Sequence, residues 1–236
     1  MSTLKKLARI VLAPLMLLFI IPSCEKQANQ NLTQISGDDE VSLSQDASNL
    51  KLTLRPGPNT GQDVYVAQQD GVSSGNVNYV PELSISEWTV GGAAYHTAAY
   101  IRFDSLRKIP TTATVVSAKL YLYTPYSSAS TPQGNSGDNA SYVDRVTGIW
   151  DESTLTYNNQ PTHTTVGQAI LPASTSTWGY SPVVDVTEMV SVFVAHPNKN
   201  HGFFISLITQ QIYRSLIFSS SEADKSLRPK LVVSYE

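Results

Sequence analysis

"AAYIRFDSLRKIPTTATVVSAKLYLYT", residues 98–124, decides the fold class. It opens with "AAYIRF" and closes with "AKLYLYT", two strand-length runs rich in β-branched and aromatic residues. The pattern repeats outward in both directions. "NLKLTLRP" (49–56) alternates through Leu50, Leu52 and Leu54, and "DVYVAQ" (63–68), "ELSISEW" (82–88), "GFFISLI" (202–208), "SLIFSS" (215–220) and "KLVVSYE" (230–236) are further strands. Turn chemistry separates them: "RPGPNTGQD", "VGGAAY", "TPQGNSGDN" and "HPNKNHG" supply Gly, Pro, Asn and Asp where the chain must reverse. The spacing predicts an all-β protein, an antiparallel two-sheet sandwich. One short helix interrupts it, because Met189, Val190, Phe193 and Val194 of "DVTEMVSVFVAHP" share a helical face. Asp185 or Thr187 is the expected N-cap, and Pro197 the stop.

Composition narrows the function. Charged residues make up 15% of the 236-residue chain, well below an average soluble protein's share, and Ser, Thr, Tyr, Gly and Pro take their place. Residues 1–23 contain Lys5, Lys6 and Arg9 and no acid, so the remainder carries 13 basic against 19 acidic residues, a balance of −6. No basic stripe exists to displace phosphate counterions, which excludes nucleic acid as a partner.

The chain has a single cysteine, Cys24, which can form neither an internal disulfide nor a C-x-x-C metal site. It follows three basic residues and the apolar run 10–21, the layout of a secretory signal. As a helix, 12 residues reach about 18 Å, short of the roughly 30 Å hydrocarbon core, so a spanning anchor is a poor reading. Ile21, Pro22, Ser23 and Cys24 resemble a bacterial lipobox. That resemblance implies cleavage after residue 23, acylation of Cys24, and membrane contact through the lipid alone at the bacterial cell envelope, with the outer membrane the expected site and either periplasm or surface as the side faced. Residues 24–48 lack aromatics and read as the lipidated cysteine plus a flexible tether, leaving 49–236 as one folded domain.

Catalytic signatures are missing. His96, His163, His196 and His201 show no H-E-x-x-H spacing, the serines at 219–221 lack a G-x-S-x-G elbow, and "GNSGDN" (134–139) departs from the Ca²⁺-loop pattern. Asp104, Asp151 and Glu152 are available for glycosidase chemistry but read better as strand-end and turn residues. No metal, no cofactor and no enzymatic activity are expected. Glycan binding needs flat aromatic faces for sugar C–H surfaces with polar groups beside them. Candidates are Tyr79, Trp88 and Tyr95 around a Gly-Gly turn, Trp178 and Tyr180 in "TSTWGYSP", and Tyr126 at the head of a long polar loop.

Five motifs in order resemble the DNRLRE domains of bacterial secreted proteins. They are Arg102, Phe103, Asp104, Pro110, Ala118 and Leu120; Trp150, Glu152, Thr156, Tyr157, Asn158 and Pro161; "DVT" at 185–187; "NHGF" at 200–203; and the closing segment with Arg228, Pro229, Leu231 and Tyr235. Tyr157 stands where Trp is commoner, and the hexapeptide that names the family is absent. The resemblance implies a jelly-roll-like β-sandwich without catalysis, related to carbohydrate-binding module family 96, some of whose members bind acidic polysaccharides. Its motif residues Arg102, Asp104, Trp150, Glu152, Asp185 and Arg228 read as structural, and so does Glu222, since Glu222 and Arg228 flank a short loop between two strands and are positioned to close it as a bidentate pair. The expected function is a lipid-anchored, non-catalytic module that binds a polysaccharide. A surface scaffold or adhesion module with a protein partner is the alternative, and a polysaccharide-degrading enzyme the third reading.

Overall fold

A computed structural model describes residues 32–36, 39–46, 49–78 and 80–236. Two antiparallel sheets face each other, as the alternation predicts. The smaller sheet contains β1 (Leu32–Ser36), β2 (Asp39–Asp46), β3 (Asn49–Arg55), β8 (Val115–Tyr121), β11 (Val183–Asp185) and β14 (Lys230–Tyr235), in the order β1-β2-β3-β14-β8-β11. The larger contains β4 (Gln62–Gln69), β5 (Val72–Ser73), β6 (Glu82–Val90), β7 (Ala93–Arg102), β9 (Ser141–Val146), β10 (His163–Leu171), β12 (Phe203–Leu207) and β13 (Arg214–Ser219). Its order is β10-β9-β12-β7-β4-β5, with β6 beside the first half of β7 and β13 beyond β6.

The core forms where alternating apolar side chains of the two sheets meet. Leu52 and Leu54 of β3 lie in register with Val233 and Leu231 of β14, which in turn adjoin Ala118 and Leu120 of β8, and all six are buried. Opposite them sit Ile101 of β7 and Phe203 and Ile205 of β12. The one α-helix among the described residues, α1 (Thr187–Ala195), buries Met189, Val190, Phe193 and Val194, the four that share a face in the sequence. Phe193 meets Phe203 edge-on at 5.6 Å, so helix and large sheet are joined ring to ring. Removing a phenyl ring of this kind from water contributes roughly 1.5–3 kcal/mol. The cap differs from expectation: Val186 is the N-cap, while Asp185 Oδ1 accepts the Thr187 N–H at 3.0 Å. A carboxylate one position early still satisfies a first-turn donor.

Two expectations are corrected. Residues 39–46, assigned to the tether, form β2, paired with β3 from Glu40↔Arg55 to Asp46↔Asn49. Val41 and Leu43 pack against the core while Ser42 and Ser44 alternate with them, and the free edge of β3 supplies backbone partners that the segment lacks alone. Among the salt bridges of the described residues none joins Glu222 to Arg228. Glu222 accepts the hydroxyls of Ser220 and Ser221 at 2.6 and 2.9 Å, and Arg228 donates Nε to the Ala223 carbonyl at 2.8 Å. The arginine thus ties its own loop by a bond to the backbone.

The segment 1–23, Cys24, the chain to residue 31, and Tyr79 lie outside the described residues. No helix of the described residues is long and apolar enough to cross a membrane.

Candidate functional site

The hairpin of β6 and β7 turns through Gly91 and Gly92, both at positive φ (61° and 86°), a conformation that side-chain-bearing residues rarely adopt. Gln69 Nε2 donates to the Val90 carbonyl, and Asp70 Oδ1 accepts the Ala94 N–H, so the hairpin end is tied to the end of β4. Pairing brings Ser86 opposite Thr97 and Trp88 opposite Tyr95. Because directly paired residues share a face, these four side chains lie on one side of the sheet.

On that side a cleft of about 240 Å³ opens beyond the edge of the core. Trp88 and Tyr95 line it together with Tyr65 of β4, and residues 130–133 form the facing wall. At its floor Ser86 Oγ lies 2.9 Å from Thr97 Oγ1, which lies 3.2 Å from Ser84 Oγ, a buried ladder of hydroxyls. Thr131 Oγ1 donates to Glu82 Oε1 at 2.9 Å and fixes the wall to the start of β6. No charged residue lines the cleft.

Of the sequence candidates among the described residues, the structure brings Trp88 and Tyr95 into this cleft. Trp178 packs against Gly134, where an added Cβ would come 2.9 Å from its ring and from the Thr177 carbonyl. It therefore packs against the residue that follows the wall. Tyr180 donates its hydroxyl to the Pro172 carbonyl at 2.9 Å and packs against the core, while Tyr126 stands 75% exposed over Gly179. Sequence reading missed Tyr65, the hydroxyl ladder and Tyr213. Ser84 and Ser86 alternate with Leu83 and Ile85, so that signal was present. Tyr213 gave none: it meets the Trp88 ring edge-on at 5.3 Å because β13 pairs with β6, Arg214 opposite Glu87.

The other side of the same strands holds a second cleft, of about 270 Å³. There the Nδ1 atoms of His96 and His163 are held by the carboxylates of Glu87 and Asp144, the latter at 2.9 Å, and His163 stacks on Phe204 with ring centres 4.6 Å apart. Gln168 completes the Asp144 carboxylate at 2.7 Å. Each carboxylate–histidine unit is paired within itself.

The architectural residues gather at the far end of β4 and β7. Arg102 donates to Asp104 at 2.7 Å, to the Trp150 carbonyl at 3.1 Å and to Gln62 at 3.2 Å, and its guanidinium lies 5.1 Å from the Trp150 ring centre. Trp150 is buried, with Nε1 donating to the His201 carbonyl at 2.7 Å. Beside this network, carboxylate oxygens of Asp63, Glu152 and Glu222 lie within 4.8 Å of one another. Burial, then the Glu222 charge, pushes the Asp63 carboxyl well above its usual range, and the same two causes raise Glu152 to about 7. Asp185 stands apart on the small sheet, 2.7 Å from Lys119 Nζ.

A search of curated proteins finds no match. The family model for carbohydrate-binding module family 96 matches residues 58–235, which runs from the loop before β4 to the last residue of β14 and takes in both clefts and the carboxylate end. The chain belongs to carbohydrate-binding module family 96.

Proposed function

We propose that this protein is a lipid-anchored module of the bacterial cell envelope that binds a neutral or weakly charged polysaccharide without cleaving it, through the cleft lined by Trp88, Tyr95 and Tyr65. The uncharged lining of that cleft supports the reading most directly. Aromatic faces favour sugar C–H surfaces, and the hydroxyls of Thr89 and Ser130 on the lining, outside the buried ladder, match sugar hydroxyls without a charge requirement. A balance of −6 outside residues 1–23 opposes accumulation of a polyanion. The reading therefore departs from the acidic-glycan preference of some relatives. Anchoring rests on the lipobox-like stretch ending at Cys24, and the outer membrane is the proposed location.

Calorimetry with neutral polysaccharides and polyuronates, at low and high salt, tests the specificity. Binding of a neutral glycan that changes little with salt is expected, since stacking is not screened by ions. Binding confined to polyuronates and lost at moderate salt would overturn it.

A further inference from the structure

We propose that the carboxylates of Asp63, Glu152 and Glu222 hold one hard divalent cation, Ca²⁺ by preference, which fastens the start of β4 to the turn at 151–155 and the loop at 220–224. Three segments far apart in sequence converge here, and they do so closely. A Cβ on Gly61 would fall 2.3 Å from Ser221, so the glycine lets the loop close onto β4.

Three neighbouring carboxylates alone need not bind anything. The observation that points to a ligand is Glu152 Oε1, an oxygen wholly shut off from solvent with no hydrogen-bond partner. Buried polar atoms are almost always partnered, and a carboxylate oxygen without a donor is among the most costly exceptions. Asp63 is underserved as well. It is 1% exposed, and its two oxygens draw their hydrogen bonds from one residue, Ser221, through its N–H at 3.1 Å each and through its side chain. Among the described residues no ion pair involves any of the three acids, and the nearby Arg102 spends its donors on Asp104, Gln62 and the Trp150 carbonyl. A bound dication supplies the missing positive charge.

The donor set selects the ion. All three groups offer oxygen, which suits a hard cation and disfavours Zn²⁺ or Cu²⁺. Oxygens bound to one Ca²⁺ at about 2.3–2.6 Å lie at most about 5 Å apart, and the separations here fall within that span. Ca²⁺ also tolerates the irregular geometry of a strand, a turn and a loop better than Mg²⁺, which demands a near-ideal octahedron. Nothing in the sequence follows a Ca²⁺-loop pattern because the ligands come from positions 63, 152 and 222, so the expectation of no metal is set aside.

The test uses the purified protein and needs no glycan. Thermal unfolding is followed in EDTA, in Mg²⁺ and in Ca²⁺. A ligand that binds the folded form raises the midpoint with its concentration. A rise of several degrees in Ca²⁺ over EDTA, smaller in Mg²⁺, is expected. Tb³⁺ serves as a second probe: Trp150, two residues from Glu152, sensitises Tb³⁺ emission, and Ca²⁺ should displace it. Glu222→Gln should abolish both the Ca²⁺ response and the Tb³⁺ signal while leaving the near-ultraviolet dichroism of the fold. A midpoint identical in Ca²⁺ and EDTA would overturn the proposal and leave the carboxyls sharing protons instead. Tb³⁺ emission unchanged by Glu222→Gln would overturn it too, and if that variant does not fold, the wild-type titration decides.

Discussion

Strands β4 and β7 run side by side from Gln62↔Arg102 to Gln69↔Tyr95, and their two ends have opposite characters. At the first, charge, backbone and ring are locked together: Arg102 bridges Asp104, Gln62 and Trp150, and Asp63 is buried under the 220–224 loop. At the second, Tyr95 and its neighbour Trp88 face an open cleft, and their polar companions are hydroxyls that bond one another. The same pair of strands thus serves closure at one end and leaves surface at the other. Groups whose hydrogen bonds are consumed inside the protein stabilise it. Groups with faces left uncovered are available to a ligand.

The sharpest way to break this contrast is Arg102→Ala. It removes the hydrogen bonds to Asp104, Gln62 and the Trp150 carbonyl and the guanidinium over Trp150, and leaves partly buried acceptors unsatisfied, so unfolding in denaturant should show a loss of about 2–4 kcal/mol. Equal stability of variant and wild type would mean that the closed end is held by packing alone. At the open end, Trp88→Ala should lower stability by less than about 1 kcal/mol while costing roughly 1–3 kcal/mol of polysaccharide affinity. Paired denaturation and calorimetry would read both. A variant that loses stability but not affinity would make Trp88 a plug like Tyr180.

The smallest effect is expected from the ion pair of Asp185 and Lys119, which belongs to neither end. Hydrogen bonds from Lys119 and Thr187 lower the Asp185 carboxyl to about 2. Its folded value lies below its unfolded one, so its contribution is present above about pH 4 and fades as pH falls through about 2. The side chain is 59% exposed and the pair is screened by water, which limits Asp185→Asn to about 0.5 kcal/mol at neutral pH. Unfolding midpoints of variant and wild type should converge near pH 2. A constant difference across that range would assign the effect to geometry at the start of α1 instead of charge.

Alternation along single strands and a shared helical face are properties of neighbouring residues, so the sequence by itself determined the all-β class, the antiparallel sandwich and the buried face of α1. It also placed Trp88 and Tyr95 beside a Gly-Gly turn, because a hairpin is local. The strand β2 was not legible. Its few apolar residues are too sparse to predict order until the edge of β3 offers them a partner. Arg228 and Glu222, six residues apart, looked like a pair. Only the tertiary structure shows the acid drawn toward serine hydroxyls and toward two further acids from positions 63 and 152, while the arginine takes a carbonyl. Tyr213 beside Trp88, the wall at 130–133 and the carboxylate cluster all depend on which strands pair and how the sheets close. Long-range contacts of this kind leave no periodic trace along the chain, since the physics that selects them is burial and hydrogen-bond completion across the whole domain.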